Sequence, residues 1–317
     1  MSILSRILPG NETNRKWFAV IFTVVVAAVL TLLGIYANGD YGVALFILTP
    51  LFIGLCSAIL YGYRRPITRA AALRVSFLSL GIYTFCLFLF AIEGIICILM
   101  VAPLGLFLTW VGGLIGHQLV ERSPGSTPAV ILILIAGIPG VSFIDRDTQP
   151  RLLTVTTSIE IDADPQTVWK YVIEFPPLEE PTELLFKVGI AYPVNATING
   201  KGVGAVRYCN FNTGQFIEPI TIWDEPRVLA FDVAEHPLPM KELSIWNVRA
   251  PHLDNYFVSK KGQFNLTELP GGKTLLVGTT WYHHNFKPGF YWRLWSELII
   301  HKIHTRVLKH IKHVSEK

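Results

Sequence analysis

The sequence predicts an all-α membrane bundle of about five helices followed by an α+β domain, in which an antiparallel sheet is covered by one long C-terminal helix. Three observations predict it. Of the 50 charged residues only 13 fall in residues 1–145, so the chain divides in composition near Asp145. The first part is a series of uncharged runs close to the ~20 residues that span a hydrocarbon core. The second part alternates with period 2 through several short segments, then changes to period 3.6 after Pro288-Gly289.

The membrane part reads as spans at about 17–37, 41–63, 75–92, 95–117 and 128–144. Trp17, Tyr41 and Tyr63 stand near the ends of their runs, where amphipathic rings favour the interface. The first run is too long for the apolar region of a signal peptide, so the N-terminus is expected to stay as an anchor. Lys and Arg concentrate in the N-terminal tail (Arg6, Arg15, Lys16) and the second connection (Arg64, Arg65, Arg69, Arg74). The first connection, near 38–40, and the third, near Glu93, carry none. Positive loops stay cytoplasmic, so the N-terminus is expected in the cytoplasm and the C-terminal domain outside it. A re-entrant fifth run, broken by Gly137, Pro139 and Gly140, would instead leave that domain cytoplasmic. Glu93-Gly94 reads as a tight turn at the membrane surface, and Gly112, Gly113 and Gly116 as points of close helix packing.

In the second part, Leu153, Val155, Ile159 and Ile161 alternate with polar residues, the pattern of a strand with one buried face. Asp164-Pro165 caps and starts a short helix carrying Val168, Trp169 and Val172. Six further strands are expected, at 188–196, 203–211, 216–223, 228–233, 263–269 and 274–283, separated by Asn199-Gly200, Thr213-Gly214, Asp224-Glu225-Pro226 and Pro270-Gly271-Gly272. A last helix places Trp292, Trp295, Ile299, Ile303, Val307 and Ile311 on one stripe. One long helix on an antiparallel sheet is the economical packing of these elements.

"TSIEIDADPQTVWKYVIEF", "GKGVGAVRY", "DEPRVLAFDV" and the long terminal helix resemble the START-like or SRPBCC superfamily, which includes polyketide cyclases/dehydrases, over about residues 150–317. The resemblance implies a helix-grip domain, with a curved sheet gripping the helix around an apolar cavity for a lipid or another hydrophobic small molecule. The superfamily includes carriers, sensors and enzymes, so the fold leaves the activity open. The "PPLEEPTELL" stretch and the "HPLPMKELSIWNVRAPHLDNYF" insertion depart from the simple pattern and are placed at the cavity mouth.

Phe216, Glu218, Ile220 and Ile222 share a strand face by period 2, which sets the Glu218 carboxylate among apolar groups. Such a group marks a functional site, or is turned outward by Pro219, or is paired by a base such as Arg207. On the resemblance, the ligand is expected to meet Tyr208, Glu218, Trp281, His283, Tyr291, Trp295, Ile299 and Ile303, with Glu218 and His283 as the candidates for acid/base chemistry. The His301/His304 and His310/His313 pairs have i, i+3 spacing but no Cys or carboxylate at ligand spacing, so no metal is expected. No cofactor motif is present, nor a Gly-x-Ser-x-Gly or phosphate-loop pattern. A net charge of +4 without basic clusters interleaved with aromatics argues against a nucleic-acid partner. The expected partners are membrane lipids and a hydrophobic small molecule.

Overall fold

The computed structural model describes residues 7–39, 41–123, 125–145, 150–241, 250–254 and 256–317. Arg6, Asp40 and residues 242–249 of the insertion lie outside them. The chain forms two compact units. One is Met1–Thr148 with Ser244–Pro251 and Phe286–Gly289; the other is Gln149–Leu243, His252–Asn285 and Phe290–Lys317.

The first unit has five helices long and apolar enough to cross a membrane. Helix α1 (Glu12–Leu32) starts where the Asn11 side chain accepts from the Thr13 and Asn14 amides, and runs on through a π-helical turn, Leu33–Ala37. A second π-helical turn, Ala44–Leu48, leads into α2 (Thr49–Gly62). Helices α3 (Arg69–Leu89), α4 (Ile95–Arg122) and α5 (Thr127–Asp145) follow. Glu93 lies in the turn between α3 and α4 with its side chain buried.

Helix α2 is central, and glycines let it approach α4. A Cβ on Gly54 would stand 2.2 Å from the Thr109 carbonyl oxygen, and one on Gly112 would stand 2.3 Å from that of Leu51. The outer faces are apolar: Ile21, Val25 and Val29 on α1, Leu99 and Phe107 on α4, and Leu132 and Ile133 on α5 are all exposed. A band of this kind is a liability in water and the ordinary surface of a helix bundle in lipid.

The second unit holds one seven-stranded antiparallel sheet in the order β1-β7-β6-β5-β4-β3-β2. Its strands are β1 (Leu153–Ile161), β2 (Pro193–Asn199), β3 (Val206–Phe211), β4 (Gly214–Asp224), β5 (Val228–Asp232), β6 (Phe257–Leu269) and β7 (Lys273–His284). Asp164 caps α6 (Pro165–Ile173) by accepting from the Gln166 and Thr167 amides, and α6 buries Val168, Trp169 and Val172. A short α7 (Leu184–Lys187) ends in a turn at 188–189, so the strand expected from residue 188 begins only at Pro193. The last helix, α8 (Gly289–Ser315), has 27 residues and is therefore about 40 Å long. It covers the sheet, with Val307, Leu308 and Ile311 in one core with Ile161, Trp169, Leu229 and Leu276. This strand order with a long terminal helix on the sheet is the helix-grip arrangement.

One face assignment needs correction. Phe216, Glu218 and Ile220 do share the inner face, but the β4–β5 register shifts between Ile220 and Ile222. The bulge turns Ile222 outward, to 46% exposure, and brings Trp223 in against Trp169, with ring centroids 5.7 Å apart.

Candidate functional site

Between the sheet and α8 lies a cavity of about 130 Å³. Its wall is mostly apolar: Phe211, Phe216, Phe231 and Phe264 from the strands, and Ile299, Ile303 and Val307 from the helix. Pro237, Leu238 and Pro239, from the insertion after β5, complete it. The cavity follows from the pleat. Arg207 and Cys209 of β3, Glu218 of β4 and Thr280 of β7 stand on the inner face, two residues apart where they share a strand.

Arg207 and Glu218 are directly opposite each other on β3 and β4. Both are buried, and Arg207 Nη1 donates to Glu218 Oε2. Arg207 Nε also donates to the Ile173 carbonyl at 3.0 Å. The guanidinium carbon stands 5.6, 5.6 and 5.7 Å from the ring centres of Phe175, Phe231 and Phe264, so the cation is held between π faces as well as by its carboxylate. Burial pushes the Glu218 carboxyl above the usual carboxylate range, and the Arg207 charge opposes that shift. Removing one partner of such a pair costs about 3–5 kcal/mol, because it leaves a buried charge uncompensated. Beside the pair, burial pushes the Cys209 thiol up to about 12, so it stays protonated and is no nucleophile at neutral pH.

A second polar group faces the cavity from α8. His304 Nε2 is 2.7 Å from the Thr280 hydroxyl, and its Nδ1 is 3.1 Å from the Thr157 hydroxyl. The same Thr157 oxygen is 2.8 Å from Nδ1 of His301. Burial, followed by the neighbouring His301, lowers His304 to about 4, so its ring is neutral at pH 7.

Of the residues expected at a ligand, Glu218, Ile299 and Ile303 line this cavity. Tyr208 stands between Arg207 and Cys209 and so points to the other face of β3. Trp281 and His283 likewise alternate with the inward Thr280, Tyr282 and His284. Burial and then the nearby Lys260 push His283 below its ordinary value on that outer face. Tyr291 and Trp295 share a helix stripe with Ile299, but the cavity wall on α8 begins only at Ile299. Tyr282 donates or accepts at 2.8 Å with Ser296, tying the first turns of α8 to β7.

Arg207, Thr280 and His304 were not singled out as ligand contacts from the sequence. Their one signal is that each interrupts an apolar inward series.

No protein-family model matches the chain. No curated protein matches it either. Solved structures similar to the second unit include norcoclaurine synthase from Thalictrum flavum, 14% identical over 53% of this chain and 96% of that one, with a TM-score of 0.34. The Zhui aromatase/cyclase from Streptomyces sp. R1128 is 12% identical over 52% and 94%, with a TM-score of 0.33. A protein from Nitrosospira multiformis is 17% identical over 51% and 94%, also at 0.33.

Proposed function

We propose that this chain is a membrane-anchored binding protein whose helix-grip domain holds a small hydrophobic molecule between the sheet and α8. The observation that carries the reading is the apolar cavity of about 130 Å³ with its few inward polar groups. An apolar cavity of about 150 Å³ holds a benzene ring. The fitting ligand is therefore a single ring or a short chain, and a sterol would need the walls to part. A catalytic role, of the cyclase or dehydratase kind, is the second reading, favoured by the buried Glu218 carboxyl and the neutral His304 ring in the same wall.

Five spans with a cytoplasmic N-terminus are supported from within the first unit. Arg15 Nη1 donates to the Tyr63 carbonyl at 3.1 Å, and Tyr61 to Glu12 at 2.8 Å, so the N-terminal tail and the basic α2–α3 connection share one end of the bundle. The end of α5 lies with the first connection, which carries no Lys or Arg: Asn38 Nδ2 donates to Ser142 Oγ at 3.0 Å, and the Val43 amide to Asp145 at 2.9 Å. The chain thus leaves α5 at the end away from the arginines, as a full fifth span requires and a re-entrant segment does not.

Native mass spectrometry of the full chain released from micelles tests the binding reading. The expected result is a co-purified small molecule that disappears in Ile303→Trp, whose added bulk fills the cavity. A ligand retained at full occupancy in Ile303→Trp would place binding elsewhere.

A further inference from the structure

His301, Thr157, His304 and Thr280 form a continuous chain of hydrogen bonds, at 2.8, 3.1 and 2.7 Å, from the exposed surface of α8 to the cavity wall. His301 is exposed, while His304 and Thr280 line the cavity. We infer that these four residues are a proton relay, through which the cavity takes the proton of a bound single-ring hydroxyl compound and passes it to solvent. The inference rests on the reading that the cavity holds a ligand.

The chain has the chemistry a relay requires. Each hydroxyl accepts one proton while giving up another, and a neutral imidazole does the same through its two nitrogens. In the starting arrangement the ligand O–H donates to the Thr280 oxygen, and Thr280 donates to His304 Nε2. His304 Nδ1–H donates to the Thr157 oxygen, and Thr157 donates to His301 Nδ1. Four hops then follow. The ligand proton moves to Thr280, the Thr280 proton to His304 Nε2, the His304 Nδ1 proton to Thr157, and the Thr157 proton to His301. The ligand is left as its anion and His301 as an imidazolium, which gives its proton to water. Every intermediate residue ends with the number of protons it began with. His304 has only changed tautomer, which a ring kept neutral by burial is free to do.

The fold supplies the path. Thr157 lies opposite Gly278 across the β1–β7 pair, and Thr280 lies opposite Val155. Lys261 also lines the cavity, with its ammonium turned to solvent and paired with Asp232 at 3.8 Å.

The test uses the full chain in micelles with 4-nitrophenol, whose ionisation is read from its colour, followed after a pH jump on a timescale shorter than probe dissociation. Thr157→Val removes the hydroxyl at constant shape. It is expected to slow ionisation of the bound probe at least about tenfold while leaving its affinity within about twofold, and Thr157→Ser is expected to restore the rate. His301→Ala, at an exposed position, is expected to slow it as well, which keeps the test independent of any folding defect in Thr157→Val. Equal ionisation rates in wild type, Thr157→Val and His301→Ala would overturn the relay and leave the binding reading standing. A probe that does not bind, or binds as well to Ile303→Trp, would overturn both.

Discussion

At the scale of single residues, two polar groups in the cavity wall of the second unit behave differently. Arg207 and Glu218 form an ion pair whose desolvation is offset by mutual attraction, the Ile173 carbonyl and three aromatic rings. His304 avoids charge altogether, and that gives the domain a pH dependence whose sign is fixed. Its folded pKa, about 4, lies below the ordinary 6.5, so unfolding below pH 6.5 takes up a proton that the folded ring refuses. The stabilisation is fully present above 6.5 and is lost as pH falls towards 4. Relative to His304→Gln, the wild type is expected to lose roughly 2–3 kcal/mol between those two values. Denaturation midpoints of both proteins in micelles, followed by tryptophan fluorescence, check it; parallel curves across that window would contradict a neutral, buried ring.

At the scale of elements, the cavity depends on how three strands handle their inner faces. Gly262 of β6 lies between Phe231 of β5 and Thr280 of β7 in register. A Cβ there would stand 2.3 Å from Cζ of Phe231, whose ring sits against the Arg207 guanidinium. The ring is rigid and hemmed in, so Gly262→Ala is expected to cost about 1–3 kcal/mol by overpacking. It should also push Phe231 off Arg207 and towards the cavity, weakening 4-nitrophenol binding. A variant as stable as wild type with unchanged affinity would show that the ring moves freely. The bulge in β4 acts in the opposite sense: by turning Ile222 out, it frees the inner face at that point for Trp223 to close over α6.

At the scale of the whole chain, the consequence to check is sidedness. The N-terminal tail and the basic α2–α3 connection share one end of the first unit, and α5 ends at the other. A reporter active only in the cytoplasm, fused after Lys317, is therefore expected to be silent, while the same reporter placed in the α2–α3 connection is active. Activity at Lys317 would mean that α5 does not cross. The C-terminal domain would then lie on the cytoplasmic side.

The sequence by itself determined most of the elements, though it missed α7 and the first six residues of β6: apolar runs long enough to span a bilayer, period 2 through the strands, period 3.6 through α8, and an Asp-Pro start for α6. These are legible because they depend only on neighbours in the chain. It also pointed to Glu218, Ile299 and Ile303, since a carboxylate in an apolar strand series and an apolar helix stripe are local patterns. Only the tertiary structure decided what meets them. Thr157 interrupts the odd series of β1, Thr280 the even series of β7, and His304 the stripe from Ile300 to Leu308; each interruption alone looks like ordinary variation. They matter because strand order places β1 beside β7, 120 residues later, and lays α8 across both. Trp281, His283 and Tyr208 went to the far face for the same reason in reverse. Alternation says that neighbours point to opposite sides of a sheet, but which side α8 covers is settled by burial of the whole sheet, a property no short segment carries.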